Sequence, residues 1–508
     1  VRPILIAFAL IGALALPVQG QPKPAEAQGS GGGILDLLPS SSVSRHEIRI
    51  GADILRYTAE AGMQPLREAS GKVTAEIFHV SYVLNAPANS RPVTFVFNGG
   101  PGAASAYLHL GALGPRVLET TPDGGFKEPP QRIIDNPDTL LTTSDLVFVD
   151  PVGTGYSRAA EGTDEAQFWG VEQDARSLGA FIRLWLQNNG RTGSRVFLAG
   201  ESYGGFRAAL LARTLQHDVG IAPSGLILIS PALEFALLYG DDFLPMEWAL
   251  ALPSMAATHL ERSGIRGREA LAARLTAVER YAMTDYLVAI AGGLVSGGAA
   301  VSARVADMIG LPEDLVRRRF GRVSPSVFIK EYERAKGLVL SRYDGLVDSA
   351  DTSPESNALD APDPVLDRSV PALTSAFVAY ARDELGFKTD VSYRVLNREV
   401  SGRWDYGTSA SRQGFAGVTG DLQRARALTP KLQVLIVHGY TDLVTPYMAS
   451  RFLVDQMPPL AGAAPIRIVT YEGGHMMYLR PDSRRALKAD ADMILSTGQS
   501  APQKGSSP

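Results

Sequence analysis

Six short apolar runs, Val93–Asn98, Leu146–Asp150, Val196–Gly200, Gly225–Ser230, Val434–Val437 and Ile466–Tyr471, lack the alternation of a half-exposed strand. Strands of this kind have both faces covered, the condition of a parallel sheet flanked by helices. Helical patterns lie between several of them. Phe168–Asn188 carries apolar residues at helical spacing and stops before Gly190, and Tyr203–His217 follows the third run without a break. Strand, turn and helix in repetition predict a doubly wound α/β core with a mostly parallel sheet. Two earlier stretches, His46–Tyr57 and Lys72–Leu84, alternate apolar with polar and predict antiparallel edge strands.

The core is interrupted. Its first part is read as residues 45–233 and its second as 431–495, with 234–430 forming a mainly helical cap inserted between them. Within that cap, Tyr286–Val301 is apolar, but Gly292-Gly293 and Gly297-Gly298 break it, which argues for a cap segment and against a membrane span. At the start of the sequence, Arg2, the apolar run Ile4–Leu16 and the small residue Gly20 resemble a secretory signal peptide over 1–20. Export to a periplasm or beyond is therefore expected, without stable membrane association once the signal is removed. A Pro-, Gly- and Ser-rich stretch, 21–44, reads as a flexible linker, and 496–508 as an unstructured tail. Arginine outnumbers lysine and alanine is abundant, the usage expected of a GC-rich bacterial source.

Composition narrows the chemistry. With 508 residues, 45% of them hydrophobic, the chain can bury a large core. A net charge of −4 without a Lys/Arg cluster gives nucleic acid no basic patch to bind. The absence of cysteine removes disulfides, thiolate metal sites and cysteine nucleophiles together. No metal and no cofactor is called for by any motif.

Chemistry enters at Gly200-Glu201-Ser202-Tyr203-Gly204, where an apolar run stops at a serine and turns into a helical pattern. Flanking glycines tolerate such a tight turn, and the helix N-terminus offers free N–H groups, so Ser202 is a candidate nucleophile. A serine hydroxyl also needs a base, and downstream His475 follows a late strand inside the glycine-rich turn Glu472-Gly473-Gly474-His475. Asp442, just after another strand, supplies the acid, whereas His438 lies four residues before it at the strand's end. The chain order Ser202, Asp442, His475 is that of the α/β-hydrolases. Upstream, Asn98-Gly99-Gly100-Pro101-Gly102 ends a strand in consecutive glycines, so the N–H groups of Gly100 and Tyr203 are the expected oxyanion donors.

Four blocks carry a resemblance to the serine carboxypeptidase family: Asn98–Gly102 with Gly114-Pro115, Phe148–Ser157, Gly200–Gly204 and Gly474–Met476. It implies an α/β-hydrolase fold and removal of C-terminal residues from peptides, with Asn98, Gly99 and Glu201 gripping the substrate's terminal carboxylate. Two carboxyl groups in contact require a shared proton, so such a grip favours mildly acidic pH. The sequence departs from the family in three places. Counting from Asn98, the family's second glutamate falls at Ala112, with His109 about one helical turn earlier as a possible substitute. Ala103-Ala104 replaces a Cys-Ser type pair, and Gly439-Tyr440-Thr441-Asp442 keeps only the second of two acids. Peptides with a free C-terminus are thus the expected substrates. The alternatives are another α/β-hydrolase (an aminopeptidase, esterase or acyltransferase) or a noncatalytic binding protein on the same fold. The oligomeric state is not readable from the sequence.

Overall fold

The computed structural model describes residues 33–85, 91–238, 243–407 and 416–497. The stretch read as a signal peptide, the first half of the linker and nearly all of the tail lie outside the described residues.

A nine-strand path forms the central sheet: β1 (Ser41–Ile50), β2 (Asp53–Arg67), β3 (Val73–Leu84), β4 (Val93–Phe97), β5 (Asp145–Val149), β6 (Val196–Glu201), β7 (Gly225–Ile229), β8 (Gln433–Gly439) and β9 (Ile466–Tyr471). Their order is β1-β2-β3-β5-β4-β6-β7-β8-β9, with the short strand Arg158–Ala159 pairing β3 from the side. From β1 to β5 neighbours run antiparallel, and from β5 onward parallel. The apolar runs are continuous because both faces are covered. On β6, Val196 and Leu198 face one hydrophobic cluster while Phe197 and Ala199 face the other, and β7 and β8 alternate likewise. Each fully buried Val, Leu, Ile or Phe contributes roughly 1.5–3 kcal/mol relative to exposure, so this two-sided core dominates the fold's stability.

Helices α1 (Val171–Asn188) and α2 (Tyr203–Thr214) cover one face. The inserted region contributes α3 (Met246–Arg262), α4 (Arg268–Tyr281) and α5 (Ala299–Ile309), which close on a third cluster around Trp248, Leu271, Tyr286 and Val305. Then come α6 (Leu366–Asp383), α7 (Thr419–Leu428), α8 (Tyr447–Gln456) and α9 (Pro481–Ser496). Among the described residues no helix is long and apolar enough to cross a membrane.

Three boundaries differ from the sequence expectations. The alternating run His46–Tyr57 is a hairpin, not one strand: Gly51, at φ +60°, turns the chain back so that His46 pairs with Tyr57. The presumed linker ends earlier than Ser44. A 3₁₀ turn spans Ile34–Leu37, and β1 starts at Ser41, whose serine-rich lead hides the strand while its backbone pairs with Ala59–Gly62. The cap is also shorter than 234–430. Helix α6 buries Leu373, Phe377 and Tyr380 in the sheet's own core, and α7 buries Leu422 and Ala425 against the α1–α2 face. Helical periodicity reports an apolar stripe, not the layer it packs on.

A loop of the cap is laced into the core's last turns. His475 N–H donates to Tyr343 O (2.6 Å), Leu443 N–H to Arg342 O (3.1 Å) and Gly345 N–H to Thr441 O (3.1 Å). The Thr441 hydroxyl donates to Asp344 (2.7 Å), which also pairs with Arg480 (3.0 Å).

Candidate active site

Strand β6 runs directly into α2 through Ser202, whose φ of 57° and ψ of −123° are those of a sharp elbow. A non-glycine residue in this region carries strain on the order of 1–3 kcal/mol, so its surroundings must hold it. Ser202 N–H donates to Ile229 O (2.9 Å), and its carbonyl accepts from Gly205 N–H (2.9 Å) and Ala232 N–H (3.2 Å). The flanking glycines follow from contact. A Cβ on Gly200 would lie 1.9 Å from Gly204 O, and one on Gly204 would lie 2.6 Å from Phe97 O.

Asp442 is fully buried after β8. Its Oδ1 accepts from the N–H groups of Val444 (2.8 Å) and Thr445 (2.9 Å), and its Oδ2 from the Thr445 hydroxyl (2.7 Å) and His475 Nδ1 (2.9 Å). Four donors on one carboxyl stabilise its ionised form. Burial opposes that charge, yet His475, by charge and by hydrogen bond, together with the Thr445 N–H holds Asp442 below the usual carboxylate range. The reciprocal holds for His475: burial disfavours the imidazolium, but the Asp442 carboxylate, with Glu201 also near, keeps its pKa above the ordinary imidazole value. The Tyr343 ring packs edge-on against the imidazole with centroids 5.2 Å apart. His438, the other histidine near this acid, bonds Ser450 Oγ through Nε2 (2.8 Å), and burial lowers its pKa to about 4.

Ser202 and His475 line one cavity of about 100 Å³ together with Asn98, Gly99, Gly100 and Glu201. Tyr107, Leu366, Leu396, Val444 and Met476 give it apolar walls. Gly100, at φ +96°, turns the β4 loop toward the elbow, and a Cβ on Gly99 would lie 2.7 Å from Tyr203 N. The N–H groups of Gly100 and Tyr203 have no backbone acceptor among the described residues. Below them Arg207, buried, binds Asp174 (2.6 Å) and Asn98 O and lies over the Tyr203 ring (5.2 Å). One guanidinium therefore fixes both the β4 loop and the first residue of α2.

Glu201 is buried beside Ser202. Burial raises its pKa to about 7, against the pull of His475 and of two donors: Tyr478, whose hydroxyl lies 2.8 Å from Oε1, and Asn98, whose Nδ2 donates to Oε2. Asn98 is itself fixed, its Oδ1 accepting from Leu108 N–H (3.0 Å). The structure corrects the reading of His109 as a substitute for the second carboxyl. Its Nε2 bonds Tyr82 (2.6 Å), its ring stacks on Phe148 at 4.1 Å, and burial lowers its pKa to about 3. Ala112 brings no polar side chain. Tyr478, three residues beyond His475, is the partner that sequence reasoning missed, because nothing in its spacing says that its hydroxyl reaches Glu201.

Residues 62–221 match the family model described as serine carboxypeptidase. Among curated relatives, the chain is 28% identical over 162 residues to serine carboxypeptidase-like 36 of Arabidopsis thaliana (31% of each chain). It is 30% identical over 203 residues to the lysosomal protective protein of Mus musculus (38% of this chain, 40% of the relative). The matched segments thus span less than half of these relatives' lengths. Of solved structures, Kex1Δp, a prohormone-processing carboxypeptidase of Saccharomyces cerevisiae, superposes with a TM-score of 0.54 at 15% identity, covering 86% of this chain and 91% of its own. The chain has the α/β-hydrolase fold.

Proposed function

We propose that this chain is a hydrolase of the serine carboxypeptidase family that releases the C-terminal residue of peptides through an acyl-enzyme. In this reading His475 takes the Ser202 proton as Oγ attacks the scissile carbonyl carbon, and Asp442 orients the ring and stabilises the imidazolium. The oxyanion that forms is met by the N–H groups of Gly100 and Tyr203. As the C–N bond breaks, His475 returns the proton to the departing amine. Water, deprotonated by His475, then attacks the acyl carbon, and Ser202 leaves with that proton. Asn98, Gly99 and Glu201 bind the substrate's terminal carboxylate, Glu201 in its protonated form.

The observation that supports peptide-end selection over other acyl transfer is the position of Glu201. It is next to the nucleophile, on the same cavity, with a pKa raised by burial to about 7. A protonated carboxyl there can donate to a carboxylate, and an ester or an amide offers it no such partner. The test compares N-blocked dipeptides with free and amidated C-termini, using the wild type, Ser202→Ala and Glu201→Gln. Ser202→Ala is expected to be inactive, and the wild type to prefer the free acid, less so in Glu201→Gln. Equal turnover of acid and amide by the wild type would leave a general esterase or aminopeptidase-type hydrolase. Export is proposed on the apolar run Ile4–Leu16, and cell fractionation checks it.

A further inference from the structure

We infer that Tyr478 stands in for a second carboxyl beneath Glu201, so that recognition of a terminal carboxylate involves one titratable group in place of a carboxyl pair. The inference rests on the carboxypeptidase reading and names the residue that positions its grip.

Space for the phenol is made by Gly111, where a Cβ would lie 2.9 Å from Tyr478 Cε2. The Tyr478 ring is fully buried, and its hydroxyl donates to Glu201 Oε1. Glu201 is thus held from both sides, by Tyr478 from the turn after β9 and by Asn98 from the end of β4. The other charged or titratable groups acting on it are His475 and Asp442, and Tyr107 lies close enough to be perturbed by its charge.

A carboxyl pair shares one proton between two acids, and the pair ionises in two coupled steps. A phenol does not behave so. Burial and the Glu201 charge push the Tyr478 pKa well above its usual value, so the hydroxyl stays a donor throughout the working range. Glu201 then shares its proton with no second acid, and the charge of His475, which acts on it too, enters acid and amide turnover alike and cancels in their ratio. The phenol donor favours the ionised form of Glu201 and so sets how far toward alkaline pH the carboxylate grip survives.

The experiment is the ratio of kcat/KM for an N-blocked dipeptide acid to that for its amide, followed from mildly acidic to alkaline pH. Wild type, Tyr478→Phe and Glu201→Gln are compared, with fluorophosphonate labelling of Ser202 reporting that each variant is folded. The wild-type ratio should fall with pH along a single ionisation. Tyr478→Phe removes one donor from the carboxylate, so the midpoint should move up by about one pH unit, and Glu201→Gln should flatten the ratio. An unmoved midpoint in Tyr478→Phe, or two coupled ionisations in the wild type, overturns this inference and leaves the carboxypeptidase reading standing. A wild type without any acid preference overturns both. A residue that only filled space would change the size of the ratio without moving its midpoint.

Discussion

Replacing Thr445 by valine keeps the shape of the side chain and deletes one hydroxyl from behind the triad. Its Oγ1 lies 2.7 Å from Asp442 Oδ2, 3.0 Å from Ser230 O and 3.1 Å from His475 Nδ1. The hydroxyl has one proton, and the carboxylate is the stronger acceptor, so the substitution costs Asp442 one of its four donors. A hydrogen bond to a charged group contributes about 1.5–3 kcal/mol, and each 1.36 kcal/mol is about tenfold in rate. In the proposed mechanism Asp442 acts in the transition state, where the imidazolium is formed. We therefore expect Thr445→Val to lower kcat/KM by about tenfold, with a ceiling near a hundredfold because three donors remain. Thr445→Ser, which restores the hydroxyl, should stay within about threefold of wild type. The assay uses an uncharged activated ester, which keeps Glu201 out of the comparison, together with the rate at which a fluorophosphonate labels Ser202. Wild-type rates in Thr445→Val, or a Thr445→Ser as impaired as the valine variant, would refute the reasoning.

Three further outcomes are expected. On the uncharged ester, kcat/KM should rise with pH as His475 loses its proton, with a midpoint above the ordinary imidazole value, and then plateau. A free-acid substrate should add a falling limb near pH 7 as Glu201 ionises, and a falling limb on the ester as well would contradict the assignment. Gly204→Ala should cut Ser202 labelling by about a hundredfold, since its Cβ would lie 2.6 Å from Phe97 O and displace the elbow. Glu261 is buried in the cap, and burial raises its pKa to about 7, so the folded state binds its proton more tightly than the unfolded chain does. The stability that this proton provides is complete below the unfolded pKa and lost as pH rises through 7, on the order of 3 kcal/mol. Glu261→Gln should therefore raise the melting temperature at alkaline pH and do little in acid, as thermal denaturation at both pH values would show.

The parts that sequence reads well are those whose chemistry is local. The apolar runs became β4 to β9 within a residue or two at most ends, because a strand covered on both faces leaves a continuous signature. That Ser202 and His475 line one cavity and Asp442 bonds His475 is a placement readable from sequence, because each ends or follows a strand and carries glycines or turn residues fitted to its own backbone. What escaped depends on distant partners. Tyr478 faces Glu201 only because Gly111 leaves room for its ring, a relation across 367 positions of chain when counted from residue 111 to residue 478. His109 looked available by helical spacing, but Tyr82 and Phe148, from other strands, claim its ring. The helices α6 and α7 have the same periodicity as those of the cap, and only tertiary packing assigns them to the core.

The lacing of Arg342–Gly345 into the last core turns bears on how such an insertion can be exchanged. The cap has a root and a crown. Its crown, α3 to α5, packs on an apolar cluster that also takes in Tyr440 and Leu443, on either side of Asp442, and Tyr447 of α8. The root holds the acid's turn through Thr441 and Leu443 and the base's turn through His475. A chimaera that swaps the whole insertion removes the backbone acceptor of the His475 N–H. One that keeps this loop leaves both turns pinned, and must then preserve the apolar surface that the crown presents to Tyr440 and Leu443.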